Sequence, residues 1–279
     1  MSMIQLHVYT EVLRFKEEVT PFLEKNEQEN NLLLGVLPAV QQPTFMGIAK
    51  RGEEIVVVFL QTVEKIQMIV ATSEISEEDI VELAKSLTKV QSCIPGLIGN
   101  KKVVQKLAEE IAVLENKKTN VAMEQGIYEL KQVKTKRKGD GIFREVSSDE
   151  LPLIEKWIYQ FCEDVKLPTT KEEAKQTAHT LIANHRLFGL EVDGKLVSVA
   201  AKTRPTANNI TVNFVYTPKE ARKKGYASGC VAALSQRMLD EGYKTTTLYT
   251  DLANPTSNKI YQEIGYEQIM ESVLIFFEK

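Results

Sequence analysis

Histidine, cysteine and tryptophan are scarce in this chain of 279 residues, at three, three and one. Cys93, Cys162 and Cys230 are far apart and form no Cys-x-x-Cys pair, which argues against a disulfide framework or a zinc site and leaves reduced, mostly buried thiols as the expectation. His179 and His185 fall six apart on an expected helix, off a common face, so neither a metal nor a catalytic pair is expected there. No apolar run approaches the roughly 20 residues that span a bilayer. The first residues lack a basic region followed by an apolar core, so the expectation is a cytoplasmic protein without a membrane partner. Charge of one sign is also missing: 35 basic against 38 acidic residues leave −3, and nothing in that balance calls for nucleic acid.

What is present is ordinary globular material, 43% apolar and 26% charged, long enough for two domains that each bury a core. The best boundary is the polar, Gly-containing stretch 134–141, which separates a domain over 1–133 from one over 142–279. Its cations Lys134, Lys136, Arg137 and Lys138 have no interleaved aromatics and read as a solvated linker.

Residues 11–26 carry Val12, Phe15, Val19, Phe22 and Leu23 at helical spacing, with Pro21 expected to bend or split the helix. A second short helix follows near 30–37, then a hairpin over 45–49 and 54–60 turning at Arg51-Gly52, and a strand at 66–71. Ser76 with Glu77, Glu78 and Asp79 starts a helix to Leu87. A Pro95-Gly96 turn, a helix over 100–114 and a strand over 127–133 complete the half. The pattern then begins again: helices at 147–165 and 171–184, a hairpin turning at Asp193-Gly194, a strand at 210–216, a helix ending near Gly242, a strand at 244–250, and a closing strand at 271–277. The offset of about 140 residues between Gly52 and Gly194 is that of a whole duplicated domain.

Two groups of residues in the second half carry chemistry. Arg222, Gly225 and Ala227 follow a β-rich run at a helix start, with Lys223 and Lys224 between them, a generic way to hold a phosphate. Asn254, Ser257, Tyr261, Gly265 and Tyr266 follow the next strand, with Tyr261 four residues past Ser257 on the same helix face. These residues resemble the two signature motifs of the GNAT superfamily of acetyl-coenzyme A dependent N-acetyltransferases, Arg/Gln-x-x-Gly-x-Gly/Ala and Asn-x-x-Ser-x-x-x-Tyr-x-x-x-Gly-Tyr/Phe, in the right order and strand-to-helix context.

The resemblance implies an α/β fold of tandem GNAT type, with mixed, mostly antiparallel twisted sheets flanked by helices. The first half would be a degenerate copy, since Glu74, Glu77, Glu78 and Asp79 put acid where a pyrophosphate needs donors. It implies acetyl-CoA as cofactor, with Lys223, Lys224, Gly225, Tyr226, Ala227 and Ser228 around the pyrophosphate, and with Arg222 adding charge. The strand Phe214, Val215, Tyr216 and the following Thr217 would splay from a neighbour and pair with the pantetheine arm, an amide near Val215 polarising the thioester. Asn254, Ser257 and Asn258 would cap the helix or bond the arm, and Tyr261 would act as general acid. The family's frequent strand Glu is replaced by Asn213, so Glu145, Glu191 and Asp251 are the nearest carboxylates, and Asp251 is the candidate for contacting the amine. The expected reaction moves an acetyl group to a primary amine of a small molecule or peptide. The alternative is a catalytically silent coenzyme A binding or interaction module. A monomer and a homodimer are equally compatible with this pattern.

Overall fold

A computed structural model of the chain describes residues 3–135, 141–165 and 167–278, so Lys136 to Asp140 of the expected linker lie outside the described residues. The chain divides into two compact units, Met1–Tyr128 with Thr250–Pro255 and Gln268–Lys279, and Glu129–Tyr249 with Thr256–Glu267. This differs from the division at 134–141, because the end of the chain groups with the first half.

In order, the first half contains β1 (Ile4–Val8), α1 (Val12–Glu24), α2 (Glu27–Val36), β2 (Phe45–Arg51), β3 (Glu54–Gln61), β4 (Met68–Thr72), α3 (Glu77–Val90), β5 (Gly96–Asn100), α4 (Lys101–Glu115) and β6 (Lys118–Leu130). The second contains β7 (Ile142–Glu145), α5 (Leu151–Asp164), α6 (Lys171–Ala183), β8 (Leu187–Val192), β9 (Lys195–Thr203), β10 (Asn209–Tyr216), α7 (Tyr226–Asp240), β11 (Thr245–Asp251), α8 (Pro255–Ile264) and β12 (Glu267–Glu278). The order of strands and helices is the same in both halves. So is the pairing: β1 to β4 are antiparallel neighbours and β4 is parallel to β5, as β7 to β10 are antiparallel neighbours and β10 is parallel to β11. No helix among the described residues is long and apolar enough to cross a membrane.

Helix starts follow their caps. Ser76 Oγ accepts from the Asp79 amide at 3.2 Å to start α3, and Asn100 Oδ1 accepts from the amides of Lys102 and Val103 to start α4. Thr170 and Glu173 form a reciprocal capping box at α6. Asp193 and Gly194 both have positive φ, as a type I′ hairpin requires. Pro21 sits inside α1, which continues through it to Glu24 rather than splitting. Of the thiols, Cys230 is buried while Cys93 and Cys162 are half-buried.

Three strands escape the sequence patterns: β1, β5 and β7. The five residues of β5, Gly-Leu-Ile-Gly-Asn, look like a continuation of the Pro95-Gly96 turn. In the structure both glycines serve close strand packing, since a Cβ on Gly96 would collide with the Ile275 carbonyl and one on Gly99 with the Val70 carbonyl. β6 also starts earlier than the expected 127–133.

The first unit's sheet has the order β1-β2-β3-β4-β5-β12-β6. Its sixth member is the last strand of the chain, antiparallel to β5 with Val273 opposite Gly99 and Ile275 opposite Leu97. The alternation in β12 sends Val273 and Ile275 into a core with Leu83, Leu97, Leu107 and Ile111. The second unit's sheet runs β11-β10-β9-β8-β7, and its core joins Ile154, Trp157 and Ile158 of α5 and Ala174 and Ala178 of α6 to Leu187 and Val199.

Ile275→Ala removes a buried side chain from the first unit's core. We expect a stability loss of about 2–5 kcal/mol, with amide-exchange protection falling in β4, β5 and α4 while α7 keeps its own. Loss confined to β10, α7 and β11 would contradict the assignment of β12.

Candidate active site

The exit of β10 is fastened to β9: Ser198 Oγ donates to the Tyr216 carbonyl at 3.2 Å and shares a hydrogen bond with Thr217 Oγ1 at 2.8 Å. After a single 3-10 turn over Lys219–Ala221 the backbone turns sharply, with φ of 63° at Lys223 and 79° at Gly225. Gly225 is the residue before α7 and carries no side chain to cap it. The first helical bond runs from the Gly229 amide to the Gly225 carbonyl at 2.9 Å. The amides of Tyr226, Ala227 and Ser228 have no partner among the described residues. This 15-residue helix therefore presents three donors and the positive end of its dipole at a place where a Cβ on Gly225 would meet open space. Lys223 and Lys224 are exposed and hold no carboxylate among the described residues. A pyrophosphate fits this donor set.

Arg222 is held in place by partners from α5 and from its own loop. Its Nη2 lies 2.5 Å from Asp164 Oδ2, its Nε donates to the Thr217 carbonyl at 2.9 Å, and its guanidinium sits 5.8 Å over the Tyr216 ring. The guanidinium holds the Asp164 carboxyl below the usual aspartate range. Arg222 thus latches the loop to the end of α5. Asp164 went unnoticed in the sequence, where nothing marks a partner so far away along the chain.

β10 and β11 diverge. Their parallel pairing runs from Asn209 and Thr245 to Val212 and Leu248 and goes no further. Just beyond, the register of β10 against β9 shifts between Asn213 and Tyr216, and Phe214 has a φ of 43°. The bulge is held by Asn213 Oδ1, which accepts the Phe214 amide at 2.8 Å. The rings of Phe214 and Tyr216 turn into the core against α5: Phe214 is edge-on to Phe161 at 5.3 Å, Tyr216 packs on Trp157 at 5.7 Å, and Tyr216 Oη donates to Gln160 Oε1 at 3.0 Å. Phe214 and Tyr216 therefore offer a ligand their backbone, not their side chains.

On α8, Tyr261 stands edge-on to Tyr266 with centroids 6.2 Å apart, and its hydroxyl makes no hydrogen bond among the described residues. Burial pushes the Tyr261 phenol up to about 12. Tyr266 is fully buried, and its hydroxyl is 2.8 Å from both Ser235 Oγ of α7 and Thr246 Oγ1 of β11, which fixes the end of α8 to α7. Gly265 ends α8 at a φ of 122°, where the Gln132 carbonyl leaves no room for a Cβ. Ser257 and Asn258 are half-buried on the same helix.

The second unit thus collects Phe214 to Thr217, Arg222 to Ser228, Ser257, Asn258 and Tyr261. Asp251 and Asn254 group with the first unit. Asp251 Oδ1 accepts from the Ala253 amide at 2.8 Å and its carbonyl from the Asn254 amide at 3.0 Å, so both residues shape the turn after β11. The other two carboxylates considered as bases are engaged elsewhere: Glu145 with His185 Nδ1 at 2.5 Å, and Glu191 with Arg144 Nε at 2.7 Å.

A family model described as FR47-like protein matches residues 194–275, the span that holds every element of this site from β9 onward. No curated protein matches the sequence. Among solved structures, an acetyltransferase of the GNAT family from Colwellia psychrerythraea shares 13% identity and a TM-score of 0.62, covering 99% of this chain and 100% of that one. A GCN5-related N-acetyltransferase from Sphaerobacter thermophilus shares 11% identity and a TM-score of 0.62, with 98% and 94% covered. A tandem GNAT protein from the clavulanic acid biosynthesis pathway shares 9% identity and a TM-score of 0.57, with 98% of each chain covered. At these identities the likeness is one of fold, and it extends over the whole chain: the protein has the fold of the GNAT superfamily.

Proposed function

We propose that the protein is an N-acetyltransferase that takes its acetyl group from acetyl-CoA and passes it to a primary amine. The observation that carries this reading is the meeting, in one unit, of a diverging strand pair with an uncapped helix start. The amides of Tyr226, Ala227 and Ser228 would hold the pyrophosphate, with Lys223 and Lys224 adding charge that solvent screens. The edge of β10 freed beyond Val212 would pair with the amides of the pantetheine arm. Acetyl-CoA supplies an activated acetyl group as a thioester.

The residues of this chain would then do three things. The Phe214 amide is already taken by Asn213, so the Val215 amide is the donor left on the bulge to polarise the thioester carbonyl. As the amine nitrogen bonds to the carbonyl carbon and the C–S bond breaks, Tyr261 gives its proton to the departing sulfur. The proton lost by the amine then restores the phenol through solvent or a bound group. A phenol raised to about 12 keeps its proton at neutral pH but gives it up less readily. It therefore suits a sulfur whose own charge is disfavoured by the same dry surroundings.

Isothermal titration with acetyl-CoA should show one site per chain, and Gly225→Glu, which fills the turn and sets a carboxylate among the donors, should abolish it. No binding to the folded wild-type chain would favour the silent module. Tyr261→Phe should lower kcat by about 10²–10⁴-fold with acetyl-CoA affinity unchanged. A wild-type rate would remove Tyr261 from the mechanism. The protonated phenol is the active form, so its loss on raising pH should set in only toward about pH 12. An alkaline fall of kcat with its midpoint at about pH 10 or below that disappears in Tyr261→Phe would mean an ordinary or lowered phenol instead.

A further inference from the structure

Arg204, in the loop between β9 and β10, is a cation with no counter-charge among the described residues. Arg51, Arg144, Arg222 and Arg237 each hold a carboxylate. Arg204 pairs with none among the described residues; its guanidinium carbon lies 5.0 Å over the ring of Tyr249. Burial lowers its pKa, the mark of a charge taken out of water, and interaction with Tyr249 offsets that only in part. Charges are seldom desolvated without compensation, because the loss of hydration is costly.

The position of this charge is fixed. Arg204 itself has a φ of 49°. The loop behind it is closed by the Thr206 amide on the Asn209 carbonyl at 2.8 Å and by the Asn209 amide on Thr206 Oγ1 at 3.1 Å. The amides of Lys244 and Thr245 both donate to the Asn208 carbonyl, and Asn209 Nδ2 donates to Thr247 Oγ1 at 3.1 Å. β9 and β11 lie on either side of β10, and the Arg204 guanidinium, from the loop after β9, reaches the Tyr249 ring on β11. Tyr249 is the residue after Leu248, where pairing with β10 ends. The guanidinium therefore sits at the mouth of the divergence in which the acetyl group would be presented.

We propose that Arg204, held over Tyr249, binds the carboxylate of the acceptor, and that the acceptors are amino acids rather than simple amines or polyamines. The inference rests on the acetyl-transfer reading above and narrows it. A guanidinium presents a planar pair of N–H donors that matches a carboxylate in two hydrogen bonds. The same charge repels acceptors that carry only cations, so it selects by exclusion as well as by attraction.

The test uses the full chain and three matched acceptor pairs, each an amino acid and its decarboxylated amine: phenylalanine and phenethylamine, lysine and cadaverine, tyrosine and tyramine. Acetylation is followed by mass spectrometry and acetyl-CoA affinity by titration. Within at least one pair, kcat/KM should favour the amino acid by about tenfold or more, and Arg204→Gln should raise the KM for that amino acid by about tenfold or more. Acetyl-CoA affinity should be unchanged in Arg204→Gln, and Arg204→Lys should recover part of the preference. Amines accepted as well as or better than the amino acids would overturn the proposal, as would acetyl-CoA binding with no amino acid acetylated. So would an Arg204→Gln variant that loses acetyl-CoA affinity while keeping the acceptor preference, since the guanidinium would then serve a phosphate. Should Arg204→Gln not fold, the wild-type preference within the pairs still decides. Failure of acetyl-CoA to bind at all is the separate outcome that removes the transferase reading itself.

Discussion

Three amide groups at the start of α7 set the terms for the second unit. A helix leaves its first N–H groups without internal partners, and most helices answer with a side chain. Here α3 uses Ser76, α4 uses Asn100 and α6 uses Thr170. At α7 the preceding residue is Gly225, held at a φ of 79° with nothing to offer. In the proposed reading a ligand supplies the acceptors, and the exposed Lys223 and Lys224 suit one of negative charge. The corresponding helix of the first half, α3, has the opposite chemistry: its first turn is capped by Ser76 and carries Glu77, Glu78 and Asp79, with Asp79 paired to Arg51 at 2.5 Å. The same sequence of elements thus begins its helix with open amides beside lysines in one half and with a capped, acidic turn in the other.

Donors of this kind work only if they are held still, and one helix face does the holding. Trp157, Gln160, Phe161 and Asp164 fall at the i, i+3, i+4 and i+7 positions of α5 and so share a stripe. Trp157 and Gln160 take the ring and hydroxyl of Tyr216, Phe161 takes the ring of Phe214, and Asp164 takes Arg222. The stripe therefore clamps both the bulged strand and the turn that follows it. Its apolar members contribute by burial, while the half-exposed Asp164 and Arg222 pair adds at most about 1 kcal/mol and acts chiefly as a geometric latch. Asp164 is depressed by Arg222, so this contribution is present at neutral pH and fades as pH falls below the ordinary aspartate value of about 4.

Much of this was legible in the chain, and what was not has a common cause. Ser76 as a cap, Asp193-Gly194 as a type I′ turn, and the helix face shared by Ser257 and Tyr261 are local facts, set by residues within one turn of each other. The spacing of Arg222, Gly225 and Ala227 located the sharp turn before α7, because a turn's chemistry lies in its own backbone. The pairing of Arg222 with Asp164 could not be read, because that partner is supplied by the fold. Nothing in the sequence marks Arg204, since desolvation belongs to a three-dimensional surrounding. β5 was missed for a related reason: glycine reads as a turn former, yet Gly96 and Gly99 are there so that the backbones of neighbouring strands can approach. Asp251 was attractive as a carboxylate close to the second motif, but proximity along the chain brought it into a turn with Ala253 and Asn254.

The placement of β12 ties the end of the chain to the core of the first unit. Val273 and Ile275 complete a core whose other walls are α3, α4, β4 and β5. Without them the sheet would end at the backbone of β5, whose glycines leave no side chains to shield an exposed edge. The first unit therefore cannot reach its full packing until the last residues of the chain are available, a contact of very high sequence separation whose closure is entropically slow. In return, the segment from Thr256 to Glu267, with Tyr261 and Tyr266 in it, is bounded on both sides by residues of the first unit. A chain segment fixed at both ends has fewer conformations to lose than a free terminus, and this segment carries Tyr261, whose hydroxyl has no hydrogen-bonding partner among the described residues.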